Sequence, residues 1–110
     1  MENLSQQKCK PCEGGVAPLT RSQFEHYLDQ VTDWSVIEDK RIERLFQFKD
    51  FAEALEFVNR VGAIAESEGH HPDIFIHGWN KVKVTVWTHA IGGLSLNDFI
   101  IARKIDGIGQ

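Results

Sequence analysis

Glu66-Ser67-Glu68-Gly69-His70-His71-Pro72-Asp73 runs on through Ile74-Phe75-Ile76-His77, Gly78-Trp79-Asn80 and Lys81-Val82-Lys83-Val84-Thr85-Val86-Trp87-Thr88, and this stretch decides the fold. Gly69 is a helix stop, because glycine adopts the left-handed conformation that closes a helix. Pro72 cannot continue a helix and biases His71 towards an extended backbone. Ile74–His77 reads as one strand and Lys81–Thr88 as the next, with Gly78–Asn80 as the turn. In the second of these strands Val82, Val84 and Val86 share one face, while Lys83, Thr85, Trp87 and His89 share the other parity. His70 and His71 therefore belong to a short link between a helix and a hairpin.

Upstream, Asp50 opens that helix with Glu53 three residues on. Phe51, Ala54, Leu55, Val58, Ile64 and Ala65 form its apolar stripe, which runs to about Ser67. Before it, Trp34–Glu38 and Arg41–Phe48 read as two strands around an Asp39-Lys40 turn. Earlier still, Thr20 and Gln23 fit a capping box, and Phe24, Tyr27, Leu28 and Val31 fall on one helical face. That helix is expected to end near Gln30. Downstream, Ser95 and Asp98 fit a helix start, and Leu96–Ile105 forms the last helix. Its apolar residues Leu96, Phe99, Ile100, Ile101 and Ile105 cover a wide arc, which needs burial on more than one side. The order is α-β-β-α-β-β-α. The expected class is α+β, a two-layer domain with a four-stranded antiparallel sheet and helices on one face. Residues 18–110 form the domain, and residues 1–17, polar and without apolar period, an irregular N-terminal arm.

The chain has 110 residues, 42% of them apolar and 25% charged, which suits one soluble globular domain. A chain of this length buries only about two thirds of its unfolded surface, so a symmetric homodimer or homotetramer is expected. The net charge of −4 and the absence of a basic stripe argue against nucleic-acid binding. No apolar run approaches the roughly 20 residues of a membrane helix. Met1–Lys8 is polar and lacks an apolar signal core, so cytoplasm is the expected location. Cys9 and Cys12 are spaced as Cys-x-x-Cys. A reduced pair on a polar tail, a redox pair and half of a metal site are all open readings.

The chemistry points to histidine. Its unperturbed pKa of about 6.5 lets it take or give a proton near neutrality. Glu66, then His70-His71-Pro72, then Trp79, His89 and Asp98 recur at fixed spacing, and this pattern resembles the signature of the pterin-4a-carbinolamine dehydratases. The resemblance extends from about Leu19 to Ile105. It implies the same two-layer architecture and a dehydration that converts 4a-hydroxytetrahydrobiopterin to quinonoid dihydropterin and water, within tetrahydrobiopterin recycling.

The family's catalytic histidines map onto His70, His71 and His89. Glu66, Gly69, Asp73, Trp87 and Thr88 are the expected substrate-binding set, with Thr88 acting through its backbone. Glu66 could orient a histidine or hold the pterin. The family often has an acidic residue before the histidine pair, where Gly69 stands here, so only backbone contacts are expected from it. Trp79 and Trp87 offer aromatic surface, with hairpin packing as the plainer role. Asp98 is expected to cap its helix with Ser95. His26 and His77 fall outside the signature. No cofactor and no metal are expected, since histidines supply both proton transfers and no zinc motif accompanies them. The alternative function is an interaction module with vestigial activity, because animal members of the family also act as dimerisation cofactors of a transcription factor.

Overall fold

A computed structural model of the chain describes residues 3–10 and 16–108. Helix α1 (Arg21–Phe24) continues as a 3-10 helix over Glu25–Gln30, followed by strands β1 (Ser35–Ile37) and β2 (Arg41–Gln47). Helix α2 (Phe51–Glu68), strands β3 (Asp73–His77) and β4 (Lys81–Val86) and helix α3 (Leu96–Asp106) complete the domain. The expected order and class are observed: one antiparallel sheet in the order β1-β2-β4-β3, with the helices on one face.

Burial follows the predicted alternation. Val82, Val84 and Val86 are fully buried, and the register sets Ile42 opposite Val86 and Phe46 opposite Val82, so these side chains make the sheet's half of the core. The opposite parity faces away from the helices. There Leu45 and Phe75 flank Lys83 and stay exposed, with the Lys83 ammonium 5.6 Å from the Phe75 ring centroid. Both hairpins turn through two successive left-handed residues, Glu38 and Asp39 in one, Gly78 and Trp79 in the other. Such turns match the right-handed twist of the flanking strands.

Two differences from the sequence expectation concern the helices. The first helix is α-helical for one turn only. In the tighter 3-10 form, residues i and i+3 eclipse. Phe24 and Tyr27 thereby both lie against Phe99 of α3, at centroid distances of 5.8 and 5.5 Å. The wide apolar arc of α3 is covered within the chain, by α2, the first helix and a short 3-10 turn at Leu4–Gln6. Phe99, Ile100, Ile101, Ala102 and Ile105 are all buried. The apolar arc of α3 therefore carries no argument for a partner subunit.

Leu4 in that N-terminal turn is fully buried, and its N–H donates to Gln30 Oε1 at 2.9 Å. Residues 8–10 continue across the domain. Glu68 Oε1 accepts from the Cys9 N–H at 2.8 Å, and Glu68 Oε2 accepts from Lys104 Nζ at 2.6 Å. The Glu68 side chain is only 5% exposed. Burial by itself would raise its pKa. The Lys104 and Cys9 hydrogen bonds and the charges of Lys104 and Lys8 outweigh burial and hold the carboxyl below its ordinary 4.5.

Replacing Phe99 by alanine is expected to cost about 3–5 kcal/mol, and Leu4→Ala about 2–5 kcal/mol, by urea denaturation. A loss below about 1 kcal/mol for Leu4→Ala would mean that the N-terminal turn is not seated in solution. A carboxyl whose folded pKa is lowered adds stability that is complete above its ordinary pKa and fades as pH falls towards the folded value. Stability measured from pH 6 downwards should therefore start to fall near pH 4.5, and Glu68→Gln should shrink that part of the loss. An unchanged acid profile in Glu68→Gln would show that the lowered carboxyl contributes nothing.

Candidate active site

The site begins at the C-terminus of α2. Gly69 has φ of +66°, and the His70 N–H returns to the Ala65 carbonyl at 3.2 Å, the six-to-one bond that closes a helix around a left-handed residue. This closure fixes where the chain leaves the helix, and so where His70 starts. Its ring Nε2 lies 2.6 Å from Asp98 Oδ1. The His70 side chain is 11% exposed and that of Asp98 fully buried.

Asp98 uses both oxygens. Oδ2 accepts from the Ser95 N–H and from Thr88 Oγ1, each at 2.9 Å. Thr88 Oγ1 and Ser95 Oγ stand 2.7 Å apart. A hydroxyl has one proton to give. Thr88 gives its proton to Asp98, so Ser95 is the donor to Thr88. With Asp98 ionised, His70 donates from Nε2 and its Nδ1 is left free to exchange a proton. The partner on one ring nitrogen thus sets the chemistry of the other.

His71 and His89 sit in different surroundings. His71 Nε2 lies 3.1 Å from Glu66 Oε1, a pair 60% and 81% exposed. Solvent screens such a contact, which orients the ring more than it stabilises the fold. His89 opens a 3-10 turn, His89–Ile91, and stacks on Trp87 at 4.2 Å with the planes 18° apart. The Arg41 guanidinium also lies over the Trp87 ring, 5.3 Å from its centroid. Thr88, between these two aromatic residues, is buried and pairs with Gly93 across a β-bridge.

Two links therefore meet at one end of the sheet. The β3–β4 register ends at Asp73 opposite Thr85, which sets the His70–Pro72 link beside the Trp87–His89 link. Asp98 ties the two together through His70 and Thr88. No hydrogen bond joins the three imidazoles to one another among the described residues. Asp73 begins β3 with an exposed side chain, and a β-carbon built on Gly69 would meet nothing within 4 Å. Trp79 does not join this end. It forms the β3–β4 hairpin tip, beyond the His77–Lys81 pair, and is 62% exposed.

Sequence reasoning placed Asp98 at the helix cap, where its Oδ2 indeed serves. The second oxygen, aimed at His70, escaped that reading, although the fixed spacing of Asp98 from the histidines was the available signal. Among the described residues no group of three or more His, Cys, Asp or Glu side chains is arranged to hold a metal ion. Cys12 lies outside the described residues. The Cys9 thiol is pushed up to about 12, by burial first and then by the Glu68 charge, which disfavours the thiolate that redox exchange or metal binding needs.

Comparison with known proteins finds relatives across nearly the whole chain. The family model for Pterin 4 alpha carbinolamine dehydratase matches residues 17–108. A family relative from Alkaliphilus metalliredigens is 48% identical over 107 residues, covering 96% of each chain. The protein of Arabidopsis thaliana named pterin-4-alpha-carbinolamine dehydratase 2, mitochondrial, is 44% identical over 110 residues, which cover 96% of this chain and 59% of the plant one. A crystal structure of a Brucella melitensis protein, described as a transcriptional coactivator/pterin dehydratase, superposes with a TM-score of 0.77. It is 34% identical, with 84% of this chain and 99% of that one covered. With the matched model spanning most of the domain and the relatives nearly all of it, the chain belongs to the pterin 4 alpha carbinolamine dehydratase family, and with it to the hydro-lyases.

Proposed function

We propose that this enzyme dehydrates 4a-hydroxytetrahydrobiopterin to quinonoid dihydropterin by histidine general acid–base catalysis. One observation carries the reading. A buried carboxylate, Asp98, holds His70 through one oxygen and the Thr88 segment through the other, at the sheet end where His71 and His89 also stand.

The reaction removes a proton from a ring nitrogen and a hydroxyl from the adjacent carbon. The nitrogen's electron pair forms the new C=N bond as the C–O bond breaks, and the hydroxyl leaves as water after taking up a proton. The base must reach the proton on the ring nitrogen, and the acid the departing hydroxyl on the adjacent carbon. The three histidines suit this division, since each is held by a different partner: Asp98, Glu66 and the Trp87 ring. Positioned groups of this kind contribute about 10² to 10⁴ in rate. The Trp87–His89 pair supplies an aromatic ledge for a flat bicycle. Thr88 and Gly69 supply backbone, and Glu66 and Asp73 supply carboxylates at the rim.

Recycling of the pterin consumed by aromatic amino-acid hydroxylation, in the cytoplasm, is the setting that fits this activity. No helix among the described residues is long and apolar enough to cross a membrane. The working form is a homodimer or homotetramer. Phe51 and Leu55 remain exposed on α2 and give a second copy an apolar helix face to cover.

His71→Ala and His89→Ala should each lower single-turnover dehydration by roughly 10² to 10⁴, about 3 to 5 kcal/mol of barrier. Pterin affinity should change less, and His77→Ala, on the sheet's far end, should be nearly silent. Stopped-flow dehydration with separately measured binding decides this. Wild-type turnover in both variants would remove these histidines from the chemistry. Turnover is also expected to survive exhaustive chelation, and activity lost to chelation and restored by zinc would refute the metal-free scheme.

A further inference from the structure

The N-terminal segment reaches the same site from behind. Lys10 and the side-chain amide of Asn97 pair in both directions: the Lys10 N–H donates to Oδ1 at 2.9 Å, and Nδ2 donates to the Lys10 carbonyl at 2.6 Å. One residue earlier, the Cys9 N–H donates to Glu68 and the Cys9 thiol to the Asn97 carbonyl, at 2.8 and 3.5 Å. The far end of the segment is seated by Leu4 in the core. Residues 9 and 10 therefore bridge the end of α2 and the first turn of α3.

Those are the two elements that carry the His70–Asp98 hydrogen bond. Glu68 stands two residues before His70, and Asn97 immediately before Asp98. Lys104, one α3 residue, closes the brace by donating to the second Glu68 oxygen at 2.6 Å. Apart from this bridge, Glu68–Lys104 and the helix packing, the 2.6 Å contact of His70 with Asp98 would itself have to hold the two helix ends in place. A short hydrogen bond between groups on separate elements keeps its geometry only if the elements keep theirs.

We propose that the Cys9–Lys10 strap is a positioning device, in which Asn97 and Glu68 take the strap's hydrogen bonds and hold Asp98 and His70 at their working separation. This rests on the dehydratase reading, for which His70 is one of the proton-handling groups. Asn97 and Glu68 are positioning residues, acting on the reaction through their neighbours. The strap also gives Cys9 a role that needs neither a metal nor a disulfide. Its protonated thiol is a hydrogen-bond donor packed into the helix crease.

The test uses the full-length protein with Asn97→Ala, which removes the amide's contacts with the Lys10 backbone. A second variant, Lys10→Pro, removes the Lys10 N–H that donates to Asn97 Oδ1 and leaves both helices intact, so it decides the matter if Asn97→Ala does not fold. The first readout is the split between kcat and KM for carbinolamine dehydration. The second is the downfield imidazole N–H proton resonance of the His70–Asp98 bond, assigned by its loss in Asp98→Asn. Each strap variant is expected to lower kcat by roughly tenfold to a hundredfold with KM nearly kept, and to broaden or shift that resonance. A folded variant with wild-type kcat and an unmoved resonance would overturn the proposal, whatever its melting temperature. If the wild-type protein shows no dehydration, the dehydratase reading fails, and the resonance still decides whether the strap sets the His70–Asp98 geometry.

Discussion

The carboxylate of Asp98 is the group on which the site depends. A buried charge is costly unless donors surround it, and leaving one unpaired costs more than any single contact gains. Asp98 meets this with three donors from three places: the Ser95 backbone of its own helix start, the Thr88 hydroxyl after β4, and the His70 ring after α2. The requirement works in both directions. The carboxylate holds the two histidine-bearing links, and those links are what make its burial tolerable.

The scaffold delivers these donors by simple means. The β3–β4 hairpin brings residue 73 opposite residue 85, so the chain entering β3 and the chain leaving β4 emerge side by side. The left-handed Gly69 stops α2 where His70 can turn towards α3. Burial of Phe99, Ile100 and Ile101 seats α3 against α2 and the first helix, and Arg44 and Trp34 hold its far end through Asp106 at 2.7 and 2.8 Å. His71 with Glu66, and His89 stacked on the half-buried Trp87, then stand at the surface of the same end of the sheet. Rigid elements lie at the rear and the solvent-facing imidazoles of His71 and His89 at the front, an arrangement consistent with the proposed acid–base chemistry.

Much of the fold was legible in the residues. The valines at 82, 84 and 86 alternate with polar neighbours, which has one physical meaning in a half-buried strand. Asp50, Gly69 and Pro72 bound α2 through capping and backbone geometry that act over a few residues only. Ser95 and Asp98 mark the start of α3 in the same local way. The histidines and Asp98 were legible as a set because their spacing matches a known signature, and spacing survives in a linear string.

What the sequence determined by itself was therefore periodic or local: strand parity, helix ends, the two hairpins, and which residue types gather near the link after α2. Tertiary structure alone decided the rest, because the relevant partners are distant in the chain. The Cys9–Glu68 contact spans 59 residues and the Lys10–Asn97 pair 87, and neither leaves a trace in local pattern. Leu4, an isolated leucine in a polar stretch, reads as part of an arm until α3 is folded beneath it. The first helix winds into 3-10 form after one turn, with Phe24 and Tyr27 both packed on Phe99 of a distant element. The second role of Asp98 follows from a histidine arriving 2.6 Å away on another element. A side chain's own oxygen atoms can be assigned to a cap from sequence, but which of them remains for chemistry depends on what folding brings against it.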